Sequence, residues 1–226
     1  MADQSQKAVT EGRRAASGAS KVRTRDAEAT KAKLLRVATT EFASRGYDGA
    51  RVESIARNAG VNINLVYHYF GNKQGIYVAA LESIYVLIRS HHQDMVLRNL
   101  DPETAMSELV RSTFRMFVET PEAIGLLATE NIQRARYVQD SQLISGLYNA
   151  LLEFIRDTLE RGVAAGVFRD GVDPVELFVS INAEGYFYLS NRYTLGFILH
   201  QDLMTPERLK AREEHIVAVI LGFLRP

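Results

Sequence analysis

The sequence predicts an all-α fold, a small N-terminal three-helix unit joined by one connecting helix to a larger helical body. Three observations carry that prediction. Every long segment spaces its apolar residues three and four apart, and none alternates as a strand would. Four times a capping side chain stands before a proline that suits a first helical turn: Asp101-Pro102, Thr120-Pro121, Asp173-Pro174 and Thr205-Pro206. Glycines fall where apolar stripes end, at Gly46, Gly60, Gly71 and Gly166.

Residues 1–24 hold few large aliphatics and are expected to be a flexible basic arm, with Arg23 and Arg25 as candidates for tracking DNA. The first helix starts near Ala27, carries Leu34, Leu35, Ala38 and Phe42, and stops at Gly46. Val52, Ile55, Ala56 and Ala59 make a second, closed by Gly60; Val66 and Phe70 belong to a third, closed by Gly71-Asn72. A fourth runs from Lys73 through Tyr77, Leu81, Ile84 and Ile88 towards Gln93. Beyond residue 100 the pattern gives a helix with Leu109, Phe114 and Phe117, another towards Ile132, one long helix at 141–164, one at 174–199 and a last one ending at Phe223-Leu224. Nine or ten helices are expected. They group as the arm (1–24), a three-helix unit (25–72) and a larger helical body (73–226), the fourth helix at about 73–93 being the connector.

The chain has 226 residues and a net charge of zero, 27 basic against 27 acidic side chains. That zero is a cancellation, because residues 1–75 hold 13 basic and 7 acidic side chains, or +6, and the remainder carries −6. A basic end beside an acidic body suits a polyanion partner at the N-terminal end. Having no cysteine excludes disulfides, thiolate-ligated zinc, iron–sulfur clusters and thiol nucleophiles, and fits a cytoplasmic location. The longest run without Asp, Glu, Lys or Arg, Asn58 to Asn72, is 15 residues, short of the roughly 18 that a membrane-spanning helix needs. No phosphate-binding glycine loop, His-Glu-x-x-His or nucleophile elbow occurs, so no enzyme is expected. The pair His91-His92 does not suit one metal, since adjacent helical residues point about 100° apart. No metal or cofactor is expected.

The informative stretch is Leu34 to Lys73. Its second and third helices are joined by Ala59-Gly60-Val61-Asn62, in which Gly60 can turn left-handed and Asn62 can cap the next helix. This is a helix-turn-helix, whose second helix enters the major groove of DNA by its N-terminal residues. With Val66 and Phe70 facing inward, Ile63, Asn64, Tyr67 and His68 are left pointing outward, a set suited to thymine methyls and base hydrogen bonds.

Gly46-Tyr47, Val52-Glu53-Ser54-Ile55-Ala56, Ala59-Gly60-Val61, Val66-Tyr67-His68-Tyr69-Phe70 and Lys73 together closely resemble the DNA-binding domain of the tetracycline-repressor family. The resemblance covers residues 26–90, and the rest agrees in layout. It implies a homodimeric repressor that binds a two-fold operator in double-stranded DNA and leaves it when a small molecule enters the body. By the same resemblance Ile63, Asn64 and Tyr67 are base or sugar contacts, Leu65 and Tyr69 face the backbone, and Lys73 meets phosphate. Asn62 and His68 complete the candidate interface. Ala50 and Arg51 stand where the family usually has small hydroxyl residues, so the second helix lacks its usual cap and Arg51 is free to reach phosphate.

In the body, polar residues inside apolar stripes are candidate effector ligands: Glu130, Asn131, Asn182, Glu184 and Tyr186, with Phe114 and Phe117 as walls. The helices at 141–164 and 174–199 are apolar on more than one face, as pairing with a second subunit requires. Coupling between effector and DNA is expected to run along the fourth helix. A ligand-responsive activator or a partner-binding module on the same fold is the alternative, with a helical-bundle enzyme more remote.

Overall fold

The computed structural model describes the backbone of residues 3–93, 97–139 and 141–226 and the side chains of 26–89, 97–139, 141–144 and 146–226. In chain order the helices are α1 (Asp3–Gly49), α2 (Val52–Ala59), α3 (Ile63–Phe70), α4 (Lys73–Gln93), a 3-10 turn at Leu97–Asn99, α5 (Pro102–Glu119), α6 (Pro121–Ile132), α7 (Gln142–Leu147), α8 (Asn149–Ala164), α9 (Pro174–Ser190), α10 (Arg192–Leu199) and α11 (Pro206–Leu224). There is no strand among the described residues. The fold is all-α, with an N-terminal helix-turn-helix and a helical C-terminal body.

Sequence sets the ends of these helices as expected. Gly46 interrupts α1 with φ 67° and ψ 178°. Asp101, Asp173 and Thr205 each accept a hydrogen bond from a backbone N–H in the first turn of α5, α9 and α11, next to a proline at the helix start. Thr120 precedes α6 without such a bond. The range of α1 takes in the stretch expected as a flexible arm, which is rich in good helix formers. The side chains of 1–25, Arg23 and Arg25 among them, lie outside the described residues, as do those of His91 and His92.

Two expected helices are each divided in two. The segment at 141–164 breaks at Tyr148, two residues after Gly146, whose missing side chain weakens helix there. The segment at 174–199 breaks at Asn191, whose side-chain amide donates to the Phe187 carbonyl and competes with the backbone ladder. Neither break was legible because Tyr148 keeps right-handed helical dihedrals (φ −92°, ψ −17°) and the apolar period carries across it.

One continuous core runs through both units. In the N-terminal unit it holds Leu34, Ala38, Phe42, Ile55, Ala59 and Val66, and in the body Met106, Leu109, Met116, Leu126, Ile155 and Leu177. The two parts meet at more than α4. Helix α6 crosses α1 so closely that a Cβ on Gly125 would lie 2.2 Å from the Ala43 carbonyl oxygen, so only glycine fits. Gln133, just past α6, donates to Asp48 at 3.4 Å. Helix α4 is therefore not the sole element joining the body to the DNA-binding unit, because α6 also lies directly on α1.

Candidate DNA interface and effector cleft

The turn between α2 and α3 has the geometry its residues require. Gly60 is left-handed (φ 66°, ψ 35°), and its N–H closes the end of α2. Asn62 accepts from the Asn64 N–H at 2.8 Å, so the Asn62 side chain serves as the cap of α3. On α3, Val66 is buried at 1% exposure and anchors the helix. Asn64, Tyr67 and His68 are exposed, forming one polar and aromatic surface. Leu65 is half-buried. Ile63 and Tyr69 are also half-buried and pack against the core, so Ile63 does not point freely outward as its place in the sequence suggested. Side chains on a helix lean towards its N-terminus, and at the first position of α3 that direction leads back over the turn and Val61.

At the flanks, Arg51 is extended, exposed and makes no side-chain cap on α2. Its backbone N–H reaches the buried carboxylate of Glu41 at 3.4 Å, which satisfies the N–H of the cap residue but leaves the first-turn N–H groups of α2 without a side-chain cap. Lys73 begins α4, with its Nζ 3.3 Å from the Asp48 carbonyl oxygen and 4.9 Å from the centre of the Tyr47 ring. These weak contacts hold the ammonium at the edge of the surface that carries Tyr67, and exchanging a neutral carbonyl for phosphate needs only a side-chain rotation.

The candidate effector residues do not gather in one cavity. Glu130 lies under the DNA-binding unit, accepting from the Tyr77 hydroxyl at 2.9 Å and from the Tyr137 and Val138 N–H groups. Asn131 is exposed and bonds back to the Leu127 carbonyl. Glu184 is paired with Arg212. Phe114 and Phe117 are buried against α9, with Phe117 edge-on to Tyr186 at 5.9 Å. Asn182 alone touches an internal space, bounded by Ile88, Leu109, Thr113, Tyr148, Phe178 and others, and with only about 10 Å³ to fill, roughly one water. Polar residues in these stripes thus have protein partners, which is the common fate of buried polar groups.

A larger opening lies beside that space. Tyr85, Leu127, Ile144, Tyr148 and Phe178 line a shallow, open cleft of about 390 Å³. Tyr148 and Phe178, 5.7 Å apart between ring centres, belong to both spaces and separate them. Sequence reasoning missed Tyr85, Tyr148 and the neighbouring Arg89. An arginine inside the apolar stripe of α4, one turn from Tyr85, was the available signal.

Two family descriptions match this chain: the bacterial regulatory proteins of the tetR family over residues 34–80, and the tetracyclin repressor-like C-terminal domain over residues 102–220. The chain belongs to the tetracycline-repressor family. It is accordingly a DNA-binding transcriptional regulator. It is 34% identical over 182 residues, 80% of this chain and 86% of the relative, to the helix-turn-helix transcriptional repressor NicS of Pseudomonas putida. The solved structure of a transcriptional regulator from Streptomyces coelicolor superposes with a TM-score of 0.65 at 22% identity, covering 87% of this chain and 99% of that one. FadR of Bacillus subtilis, solved with stearoyl-CoA, superposes with a TM-score of 0.60 at 18% identity, covering 86% and 100%. These last two share the tetracycline-repressor fold, and the family model spanning 102–220 covers the helices that line the cleft from α5 onward.

Proposed function

We propose that this regulator is a homodimeric repressor whose N-terminal unit, residues 25–72, reads a two-fold operator, and whose body, residues 73–226, pairs the subunits and releases DNA on binding a small molecule. The observation that carries the reading is the exposed Asn64, Tyr67 and His68 set on the second helix of a helix-turn-helix, at the basic end of the chain. The relative NicS is described as a repressor, and a protein of the same fold holds stearoyl-CoA, both of which favour a repressor with a ligand in its body.

A two-fold operator needs two recognition helices about 34 to 36 Å apart, hence two subunits. The face offered for pairing is on α9, α10 and α11 rather than α8. Helix α8 spends Leu151, Phe154, Ile155 and Leu159 inside the subunit, whereas α9 leaves Val175, Val179 and Phe187 exposed in one stripe. Helix α11 adds Val219 and Phe223. Effector binding favours a dimer whose recognition helices are wrongly spaced, and operator affinity falls by the effector's preference between the two states.

Selecting bound sites from random DNA, then challenging the complexes with a panel of metabolites, tests DNA reading and release together. Tyr67→Ala should weaken operator binding by about 1 to 3 kcal/mol while sparing random DNA, whereas Lys73→Ala should weaken both and flatten the salt dependence. Equal losses on operator and random DNA for Tyr67→Ala would remove Tyr67 from base reading.

A further inference from the structure

Beside the cleft lies a positive charge that no carboxylate among the described residues answers. Arg89 on α4 is 8% exposed. Among the described residues no carboxylate pairs with it and no hydrogen bond holds its guanidinium. The other inward-lying arginines of the body each have a carboxylate partner, although Nε and Nη2 of Arg161 and Nε of Arg212 are buried without a hydrogen bond. Arg111 and Arg115 pair with Glu213, Arg161 with Asp157 and the Leu100 carbonyl, and Arg212 with Glu184. None of the Arg89 guanidinium nitrogens is both fully buried and unpartnered, so the head group keeps contact with solvent while having no protein counter-charge among the described residues, and it is open to an outside anion. Burial does push the Arg89 guanidinium below its ordinary range, with Tyr148 close enough to oppose the shift.

Arg89 is not itself part of the cleft lining, but its place on α4 and its interaction with Tyr148 put that charge next to the cleft. Arg89 is one helical turn beyond Tyr85, on the same side of α4, and adjoins Ile88 on the internal space. Tyr85 and Tyr148 stand edge-on with ring centres 6.1 Å apart, and no hydrogen bond among the described residues engages either hydroxyl. Leu127, Ile144 and Phe178 supply apolar walls. The nearby acids are occupied, Glu82 by the Ser141 hydroxyl at 2.7 Å and Glu130 by Tyr77 and two backbone N–H groups.

We propose that the effector is a small monocarboxylic acid with an aromatic or alicyclic body, its carboxylate paired with Arg89 and its body held between Tyr85, Tyr148 and Phe178. One guanidinium matches one carboxylate through two parallel N–H···O bonds. A phosphate dianion would bring more charge than a single arginine answers. The site also touches both connections to the DNA-binding unit: Tyr85 and Arg89 are on α4, which begins at Lys73, and Leu127 is on α6, whose Gly125 crosses α1.

This assignment rests on the reading of the chain as an effector-released repressor, and the test separates the two. The probes are benzoate and cyclohexanecarboxylate with their neutral counterparts, benzamide and cyclohexanecarboxamide. Binding to the full-length protein is followed by calorimetry, and release by operator binding. The acids are expected to bind at least tenfold more tightly than the amides, Arg89→Gln to remove that preference, and Arg89→Lys to restore part of it. Arg89→Gln is also expected to raise the melting temperature of the ligand-free protein, because it removes a largely buried charge that no carboxylate answers. Failure of either acid to bind, equal binding of acids and amides, or a lower melting temperature together with an unchanged acid preference in Arg89→Gln would overturn the carboxylate site. If the amides release the operator as well as the acids do, the repressor reading stands without it. If the acids bind through Arg89 and the operator stays bound, the carboxylate site stands and release by this route fails.

Discussion

Glu130 is 2% exposed and keeps three hydrogen-bond donors, one from a side chain 53 positions away. A carboxylate in an apolar stripe looks like a ligand site when its partners are distant in sequence, and for that reason its role could not be read from residues 120–135. The exposure of Asn64, Tyr67 and His68 was legible because it depends on local helical phase alone. Glu130→Ala would leave the Tyr77 hydroxyl and two backbone N–H groups without an acceptor. Each such group costs about 1 to 3 kcal/mol, so the variant is expected to lose on the order of 3 kcal/mol, measured as a lower urea midpoint at unchanged slope. An unchanged midpoint would show that the cluster does not stabilise the fold. The surrounding tyrosines add a pH dependence. Burial, with Tyr137 beside it, pushes the Tyr47 hydroxyl up to about 12, and burial also raises Tyr77 and Tyr148. An unfolded tyrosine titrates near 10, so above that pH the unfolded chain loses protons that the folded chain retains. The stability this confers is complete below pH 10 and declines as pH rises towards 12. Tyrosinate absorbance is expected to rise together with loss of helical circular dichroism; ionisation well before unfolding would contradict it.

At the scale of elements, the helix ends were readable where the apolar stripe stopped at a cap, proline or glycine, while the stripe carries on past Gly146 and Asn191 and hid the breaks there. The crossing of α1 and α6 was equally hidden, because a glycine inside a helix announces close approach but does not name what approaches. Gly125→Val tests that crossing. Its branched side chain would be driven into the Ala43 carbonyl, a backbone atom that cannot rotate aside, so α6 must lift from α1. Overpacking of this kind costs about 1 to 3 kcal/mol, and here the strain falls on the junction between the two units. The expected outcome is a lower melting temperature together with a changed operator affinity, read by thermal unfolding and by DNA titration on the same preparation. A loss of stability with operator affinity untouched would make the crossing a packing contact with no part in coupling.

For the whole molecule, the charge division and the uncovered apolar surface define opposite ends of one design. The +6 of residues 1–75 draws the regulator to phosphate, and counterion release makes that attraction salt-dependent. The acidic body carries an exposed apolar face, the surface on which the proposed pairing of subunits would rest. Helix α10 exposes most. None of its residues is buried, and Tyr193, Phe197, Ile198 and Leu199 are 76%, 80%, 65% and 52% exposed. With Phe187 at 58%, the three aromatics of α9 and α10 offer on the order of 400 Å² of surface, taking about 200 Å² for each side chain. A standard interface takes about 800 Å² from each partner, so this region supplies about half of one and the stripes of α9 and α11 extend it. A large exposed patch of this kind is otherwise a liability for aggregation. Phe197→Glu places a charge at its most exposed point without touching the subunit core, so the fold should survive. The variant is expected to sediment as a folded monomer at concentrations where the parent is a dimer. Its operator affinity should fall well beyond the loss for a half-site, because two recognition helices are no longer linked. A variant that stays dimeric with full operator affinity would show that subunits pair elsewhere, and would leave the aromatic surface of α10 for a different partner.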